Sequence, residues 1–512
     1  MEKKDESVYH SDLSKIAKNA GISGIGEVVF NVLGYVTSIV MTRTVGPSLF
    51  GVFNLANIIT WIAQIFSSAG LNEGLLRFVA FYRGKGDSQR VKGAIIFGTK
   101  ITFLLSLFLT LIIFFMADFI AEKFFHDRNV GLAVKILIIS LPFFTLGELW
   151  LRVIQSFQAI KYQVYIQKFY QPAVKLITLI ILFLIGMKLG GILIASIISI
   201  LAGFSFSFFY MIKIFPVHKR FPAPVYEKKE LITFSLSLSL TQLMGVLTFY
   251  IDSLMLGHFK TSVEVGVYSA VGRVAILVLL PLTSFNSIFA PMISELYGKG
   301  ELSKLEDLFK TTTKWIFILS FPVFLLFILL SEPIMGIFGQ GFTAGAAALI
   351  ILGTGELINA GVGSVGYMLM MTGRAKVVLF NSLVFLSLNV ILNYLLIPKY
   401  SIIGAAIATG SSIAFVNILR LFEVYIFLKI HPFKLNFLKP CAAGFLTFLL
   451  IFFISKNIPS VSLFALIALS LLFASIYSLF IYMLKLEDDD KYILKLIYQK
   501  LINWKEGLSH AR

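Results

Sequence analysis

The sequence predicts an all-α integral membrane protein of about 14 transmembrane helices, arranged as two six-helix lobes related by a pseudo-twofold axis along the membrane normal, plus two C-terminal helices. Three observations support this fold class: the composition, the recurrence of long apolar stretches, and an internal repeat. Of the 512 residues, 58% are hydrophobic and 14% are charged, and the mean hydropathy is +0.88. A soluble domain has about 25% charged residues, so the chain is expected to lie in a membrane.

The apolar stretches define the predicted spans. A bilayer core requires about 20 apolar residues per helix. By this rule the chain divides into spans at 20–42, 52–76, 94–117, 132–156, 165–187, 190–212, 231–257, 265–292, 312–335, 344–371, 376–397, 402–428, 437–455 and 460–484. An even number of spans places both termini on the same side of the membrane.

The basic residues give the orientation. Thirty-four of the 44 Lys and Arg residues lie on the side of the amino terminus, eight lie on the opposite side, and two lie within spans. Because cytoplasmic loops carry the excess of Lys and Arg, both termini are predicted to be cytoplasmic in a multi-pass protein of the cell membrane. The first 20 residues have no apolar core, and the apolar segment that follows has no small-residue cleavage signature, so a removable signal peptide is not expected.

Several classes of function are disfavoured by what the composition lacks. Cys441 is the single cysteine, and the six His residues show no metal-binding spacing, so neither a metal nor a cofactor is expected. The net charge of +17 comes from short clusters between apolar stretches, and nucleic acid is therefore not an expected partner.

An internal repeat relates the two halves of the chain. Residues 242–268 align on 27–53 without a gap, so that Tyr35 meets Tyr250 and Gly51-Val52-Phe53 meets Gly266-Val267-Tyr268. The predicted organisation is a cytoplasmic N-terminal tail at 1–19, an N-lobe at 20–215, a cytoplasmic linker at 216–230, a C-lobe at 231–430, spans 13 and 14 at 436–485, and a cytoplasmic amphipathic tail at 486–512. Lobes of the same orientation are typical of transporters that bind substrate between halves and alternate access.

The carboxyl tail has its own pattern. An acidic start is followed by apolar residues at helical spacing, with lysines outside that stripe. This favours an interfacial helix on the anionic inner leaflet, contacting membrane lipids; a partner-binding helix is the alternative.

The stretch 42–87 resembles a known family. It contains a Gly-Pro turn, a Gly-hydrophobic-aromatic step, an Ala-containing helix, and a Gly-Leu step followed by an Arg, at Gly46, Pro47, Gly51, Phe53, Ala56, Gly70, Leu71 and Arg77. This arrangement resembles the opening signature of the polysaccharide transporter, or oligosaccharide flippase, family of the multidrug/oligosaccharidyl-lipid/polysaccharide exporter superfamily. The resemblance implies that a polyprenyl-phosphate-type lipid-linked saccharide moves from the inner to the outer leaflet for surface polysaccharide or glycoconjugate synthesis.

Cations within or beside spans are candidates for contact with the phosphate of such a lipid, because burying them costs roughly 2.5 to 3.5 kcal/mol each. Arg273 in span 8 is the leading candidate; either it contacts phosphate, as the resemblance implies, or it pairs with Asp252 of span 7. Arg152, Lys168 and Lys175 form a second group, either as a cytoplasmic vestibule or as side chains that extend to lipid headgroups. Glu148, four residues before Arg152, is expected to tether it.

A polar stripe runs along span 2. The stripe consists of residues at helical spacing: Asn54, Asn57, Trp61 and Gln64. These side chains either bind sugar hydroxyls, with Trp61 as a stacking surface, or hold the helix to its neighbours. Weaker polar signals of the same kind lie at Asn359, Asn381, Asn389 and Asn393.

Carboxyl groups in the spans are candidates for ion coupling. Glu27, Asp252 and Glu356 are predicted to carry a proton or Na+, because an acid in a membrane without a fixed cation tends to exchange protons.

Two competing functions remain at this stage. A cation-coupled multidrug or toxin exporter of the same superfamily would share the repeat, but the cationic candidates and the two additional spans disfavour it. A membrane-embedded polysaccharide polymerase or glycosyltransferase would require a sizeable extramembrane loop, and none is predicted, so the chain is not expected to be an enzyme. A scaffold that contacts polysaccharide-assembly proteins also stays open.

Overall fold

The computed structural model of the chain describes residues 2–215, 223–456 and 462–484, with side chains from Gly24 onward except at Leu435. Within these ranges every regular element is helical, which confirms the all-α class. The predicted interfacial helix at 486–512 lies outside the described residues, as do 216–222 of the predicted linker. The described chain divides into two compact units, Met1–Ser269 and Ala270–Arg512.

The first unit is built mainly from nine helices. They are α1 (Glu2–Ser68), α2 (Leu71–Gly84), α3 (Ser88–Ile120), α4 (Arg128–Ile138), α5 (Leu141–Ser156), α6 (Ile160–Val164), α7 (Gln171–Leu184), α8 (Leu189–Ile214) and α9 (Lys228–Phe259). Two π-helical segments, Ala121–Phe125 and Tyr165–Tyr170, follow α3 and α6 directly. The division between the units falls within α10 (Ser262–Ala275).

The second unit continues from α10 through a 3-10 segment, Ile276–Leu279, which leads into α11. Its helices are α11 (Leu280–Gly298), α12 (Leu302–Gly336), α13 (Ala346–Val362), α14 (Val365–Met371), α15 (Ala375–Leu428), α16 (Leu438–Lys456) and α17 (Leu463–Met483). A second 3-10 segment, Gln340–Gly345, precedes α13.

The number of spans is close to the prediction. In the described part of the chain, 11 helical stretches are long and apolar enough to cross a membrane, or 12 if the bent α4–α5 pair is one span. Two of these stretches are far longer than a bilayer requires: Gly24–Ser68 with 45 residues and Ala375–Leu428 with 54. The chain is therefore a multi-pass membrane protein, while the count of fourteen stays a prediction.

Backbone breaks explain why these two stretches each cover two predicted spans. α1 contains a non-helical residue at Gly46 (φ 73°, ψ 179°), directly before Pro47. α15 contains one at Ser401 (φ 53°, ψ −130°), three residues after Pro398. Proline removes a helical hydrogen bond and glycine tolerates positive φ, so α1 changes course at Gly46-Pro47.

Proline also marks the other irregular points. Pro142 lies in the first turn of α5, where the chain bends by 50° from α4. Pro172 follows the π-helical segment before α7, and Pro281 follows the 3-10 segment before α11. Proline has no backbone N–H, and in each case the turn before the proline is not α-helical. These three prolines therefore mark where the helices are interrupted.

Each unit has its own apolar core. In the first unit, Leu75, Leu149 and Trp150 are buried among α2, α3, α5 and α8, and the Trp150 indole lies 5.1 Å from the ring centroids of both Phe204 and Phe208. In the second unit, one cluster joins α11, α12, α14 and α15, and another joins α12 to α16 and α17. The two C-terminal helices thus pack on α12.

Large apolar side chains cover much of the outside. Phe115 is 78% exposed, Leu184 is 84% exposed and Phe464 is 83% exposed. Soluble proteins rarely expose so many contiguous apolar groups, so these helix faces are lipid-facing surfaces.

A very close helix contact within the first unit joins residues that the repeat aligns. A Cβ atom on Gly51 of α1 would lie 1.6 Å from the Ser262 carbonyl oxygen and 2.8 Å from Gly266 N of α10. Conversely, a Cβ atom on Gly266 would lie 2.0 Å from the Pro47 carbonyl oxygen and 3.0 Å from Gly51 N. Pro47 aligns with Ser262 and Gly51 with Gly266 in the repeat, so the contact has local twofold symmetry.

Candidate functional site

The predicted site residues are distributed over both units. In the first unit, α1 carries five of them: Glu27, Asn54, Asn57, Trp61 and Gln64. The other four lie on separate elements: Arg152 on α5, Lys168 in the π-helical segment Tyr165–Tyr170, Lys175 on α7 and Asp252 on α9. In the second unit, Arg273 lies on α10 and Glu356 on α13.

Lys168 and Glu27, predicted separately as a substrate contact and a coupling acid, are in direct contact. The Lys168 Nζ lies 2.8 Å from Glu27 Oε2 and 4.3 Å from the Phe30 ring centroid. Gly26 allows this approach, because a Cβ there would lie 2.5 Å from Val164 Cγ1. The Glu27 carboxylate is therefore neutralised by a cation rather than buried alone, and its side chain is 55% exposed.

The π-helical geometry bears on this contact. Residues Tyr165–Tyr170 form the wider π turn, which contains both Gln167 and Lys168. π turns inside helices are rare and occur frequently at functional sites, because they redirect one or two side chains. The segment places these neighbouring polar residues next to α1 and α5.

Arg152 is paired with a residue that the sequence analysis did not select. Its Nη2 lies 3.1 Å from Glu73 Oε1 of α2, and its Nη1 donates to Gln155 Oε1 at 3.0 Å. The expected tether, Glu148, instead accepts hydrogen bonds from Gln167 Nε2 at 2.9 and 3.1 Å through its two oxygens. That expectation was wrong, because Glu73 reaches the guanidinium from the facing helix.

Together these groups form a five-charge cluster, Glu27, Lys168, Glu148, Arg152 and Glu73, in which signs alternate. Glu148 lies within electrostatic reach of both cations. The side chains of Lys168 and Arg152 are 28% and 33% exposed. Charges inside a membrane protein pair to reduce their desolvation cost, and partial exposure leaves these two cations accessible to an anionic ligand.

Lys175 lies farther along the chain from this cluster, on α7. Its Nζ is 4.9 Å from the ring centroid of Phe53 on α1. A cation above an aromatic face is stabilised by the ring quadrupole, so Phe53 helps to hold Lys175 within the first unit.

The polar stripe of α1 is only partly available for ligands. Asn54 is buried, and its Nδ2 donates to the Phe50 carbonyl oxygen at 2.8 Å. Asn57 and Gln64 are half-buried, while Trp61 is exposed and meets Tyr250 edge to face at 5.9 Å. The accessible part of the stripe is therefore Asn57, Trp61 and Gln64, on one helix face.

The remaining acids each accept a hydrogen bond. Asp252 is buried and accepts from the Tyr268 hydroxyl at 2.8 Å. Glu356 is half-buried and accepts from Asn359 Nδ2 at 3.4 Å. Both carboxyls thus accept a hydrogen bond from a neutral donor.

Arg273 occupies a break between helices. It is exposed in the last turn of α10, three residues before the 3-10 segment Ile276–Leu279. A cation in the last turn of a helix is favoured by the helix dipole, and a short 3-10 stretch often marks a hinge.

The weaker asparagine signals have a structural role. Asn389 Nδ2 donates to Thr409 Oγ1 at 2.9 Å, and Asn393 Nδ2 donates to Asn389 Oδ1 at 2.9 Å. Asn381 Nδ2 donates to Glu423 at 2.6 Å. The Asn389–Thr409 and Asn381–Glu423 bonds join the two halves of α15 across its break, as polar side chains commonly join helices in membranes.

The sequence analysis missed two residues of this site: Glu73, which belongs to the cluster, and Gln167, which donates to Glu148. Glu73 had a usable signal, because it is a carboxylate within the predicted span 52–76 and such groups are candidates by default. Gln167 had none, since the rare π turn that aims it at Glu148 leaves no recognisable sequence pattern.

Comparisons with known proteins cover both units. Residues 16–297 match the family model described as polysaccharide biosynthesis protein, and residues 238–395 match the MatE family model. One relative is "Probable low-salt glycan biosynthesis flippase Agl15" of Haloferax volcanii, 29% identical over 172 residues, which is 33% of this chain and 36% of that protein. Another is "Capsular polysaccharide biosynthesis protein CapF" of Staphylococcus aureus, 26% identical over 220 residues, or 42% of this chain and 54% of that protein. The chain thus matches only 36% and 54% of the length of these two relatives.

A solved structure shares the fold over almost the whole chain. "Lipid II flippase MurJ, inward closed conformation" aligns with a TM-score of 0.70 and 16% identity, covering 94% of this chain and 99% of that one. At this identity the likeness establishes the fold alone.

Proposed function

Because the chain belongs to the family of polysaccharide biosynthesis proteins, we propose that it is a flippase that moves a lipid-linked oligosaccharide or polysaccharide repeat unit, of the polyprenyl-phosphate type, from the inner to the outer leaflet. The family match over more than half of the chain carries this proposal. One named relative is a probable glycan biosynthesis flippase and the other is a capsular polysaccharide biosynthesis protein, which supports a transporter rather than an enzyme.

The geometry supports different roles for the site residues in binding the phosphate and the sugar. The accessible cations Arg152 and Lys168, with Lys175, receive the phosphate, because charge-assisted bonds to phosphate are strong. The exposed indole of Trp61, with Asn57 and Gln64, contacts the sugar, and Asn54 supports this face. Arg273 holds the phosphate during transfer.

Alternating access of two lobes, at 20–215 and 231–430, carries the substrate across. The excess of Lys and Arg on one side supports termini in the cytoplasm of a cell-membrane protein, with the cations of α5 and the π-helical segment near the inner leaflet. Substrate synthesised in the cytoplasm would therefore meet this group first. Polysaccharide-assembly proteins are the proposed partners that supply or consume it.

The test of the proposal is flipping by the purified chain. In vesicles of phosphatidylethanolamine and phosphatidylglycerol, a fluorescent undecaprenyl-phosphoryl sugar should become accessible to a membrane-impermeant quencher at a rate that rises with protein content. Empty vesicles and an Arg152→Ala, Lys168→Ala double variant should show only the slow background rate. A chain that leaves every saccharide lipid in its original leaflet is not a flippase for this class.

The MatE match over 238–395 favours a second candidate, a cation-coupled multidrug exporter. The same vesicles distinguish the two functions. Export of a fluorescent lipophilic cation, without movement of the saccharide lipid, would favour the multidrug exporter.

Coupling to an ion gradient is expected to depend on the acids Glu27, Asp252 and Glu356. Glu27→Gln, Asp252→Asn and Glu356→Gln remove one charge each while preserving shape. At least one should abolish the several-fold acceleration that an imposed proton or Na+ gradient gives the wild type in the flipping assay. If all three variants respond to the gradient as the wild type does, these acids do not carry the coupling ion.

A further inference from the structure

The five-charge cluster contains one carboxylate more than it contains cations. Glu27, Glu148 and Glu73 alternate with Lys168 and Arg152, so the cluster carries one excess negative charge when all five groups are ionised. An anionic phosphate entering this cluster would meet two cations that are already neutralised. Binding therefore requires either that a carboxylate withdraws or that it takes up a proton.

We propose that the cluster binds the phosphate of the lipid-linked substrate together with a proton, the phosphate replacing Glu27 at the Lys168 ammonium while Glu27 becomes protonated. This inference rests on the proposed function. The Lys168–Glu27 ion pair breaks, a Lys168–phosphate ion pair forms, and one proton passes from cytoplasmic water to the Glu27 carboxylate. For a phosphodiester of charge −1 the net charge of the cluster is then unchanged.

The contacts favour Glu27 as the carboxylate that the phosphate displaces. Glu148 is held through both oxygens by Gln167, and Glu73 is held by the Arg152 guanidinium with only 29% of its side chain exposed. Glu27 is the most exposed of the three at 55%, and among the described residues its ion-pair partner is Lys168. An exposed ion pair contributes little, so Glu27 is displaced at the smallest cost.

Three further cations on the elements packed against the cluster lie against aromatic rings. Of the groups with described side chains on the packed elements, Lys175 of α7 lies above Phe53, Arg77 of α2 lies 4.3 Å from the Phe234 ring centroid, and Lys161 of α6 lies 4.8 Å from the Tyr162 ring centroid.

Linkage gives the direction of the pH effect. If the bound state holds one more proton than the free state, affinity for phosphate rises as pH falls. Glu27→Gln mimics the protonated acid. It should therefore bind the phosphate more tightly than the wild type at neutral pH and lose the pH dependence.

The experiment is calorimetric titration of the full chain in detergent micelles with farnesyl phosphoryl glucose, a phosphodiester whose own charge is constant near neutral pH. Titrations in two buffers of different ionisation enthalpy count the protons taken up per ligand bound. The wild type should take up a proton near neutral pH. Glu27→Gln should take up almost none and bind about tenfold more tightly, a change of about 1.4 kcal/mol.

Two controls make the result specific. Glu295→Gln breaks a Lys–Glu pair in which Lys299 Nζ, just after the end of α11, lies 2.5 Å from Glu295 Oε1; the Glu295 side chain is 62% exposed, close to the 55% of Glu27. This variant should match the wild type in affinity and proton uptake. Lys168→Met should weaken binding and also abolish proton uptake. Thermal unfolding of each variant should show one transition near that of the wild type.

The contrary outcomes are distinct. If wild type and Glu27→Gln bind with equal affinity and neither takes up a proton, while the lipid is flipped in vesicles, the inference is wrong and the proposed function stands. If the lipid is neither bound nor flipped, the proposed function fails and the inference fails with it. Equal affinity and proton uptake with short-chain phosphatidylglycerol would overturn the assignment of the site to the transported lipid.

Discussion

Replacing Arg273 with alanine is expected to reduce flipping of a lipid-linked saccharide to the background rate while the protein stays folded. Hydrogen bonds to charged groups contribute about 1.5–3 kcal/mol each, so losing two of them would slow transfer by roughly a hundredfold or more. Arg273 is exposed at the end of α10, so its removal leaves no cavity. Arg273→Lys should keep part of the activity, because lysine supplies the charge without the planar fork.

The alternative role of Arg273, as the counter-charge of Asp252, predicts a different result. Under that role the double change Arg273→Ala with Asp252→Ala would restore flipping, because no unpaired acid would remain. Asp252 already accepts a hydrogen bond from Tyr268, so we expect the double variant to fold and still fail. Near-normal flipping by the double variant, measured in vesicles at equal protein levels, would contradict phosphate contact by Arg273.

The fold class could be read from the sequence because its determinants are local and repeated. Apolar length predicted the helices, and the repeat aligned Gly51 with Gly266, although their contact in the structure was not predicted. The boundaries of the spans were harder to predict from the sequence than the helices themselves. α1 continues through the single non-helical residue Gly46, and α15 continues through Ser401. The positive φ of Ser401 could not be predicted from its residue type, because serine rarely adopts it.

The candidate site was only partly predictable for a different reason. Arg152, Lys168 and Glu27 were selected because a charge in a span is costly wherever it lies. Their partners depend on which helices face each other, which is a tertiary property. Glu73, 79 residues before Arg152 in the chain, was therefore not assigned to it, and the nearer Glu148 was chosen wrongly.

The close contact between α1 and α10 leads to the second large effect. Gly51→Ala would place a methyl group 1.6 Å from the Ser262 carbonyl oxygen, and Gly266→Ala would place one 2.0 Å from the Pro47 carbonyl oxygen. Backbone atoms cannot rotate away as a flexible side chain can, so the helices must separate. Overpacking of this kind costs about 1–3 kcal/mol or more, and both variants should unfold at a clearly lower temperature and lose most of their flipping activity.

Two glycines on the same helices provide matched controls with the opposite expected sign. A Cβ atom on Gly34 of α1, or on Gly272 of α10, would meet no atom within 4 Å. Alanine in a helix interior is favoured over glycine by about 0.5–1 kcal/mol, so Gly34→Ala and Gly272→Ala should unfold at the wild-type temperature or slightly above it. Thermal unfolding in detergent, followed by tryptophan fluorescence, compares the four variants directly. If Gly51→Ala unfolds at the same temperature as Gly34→Ala, the two backbones do not meet at Gly51 in the folded protein.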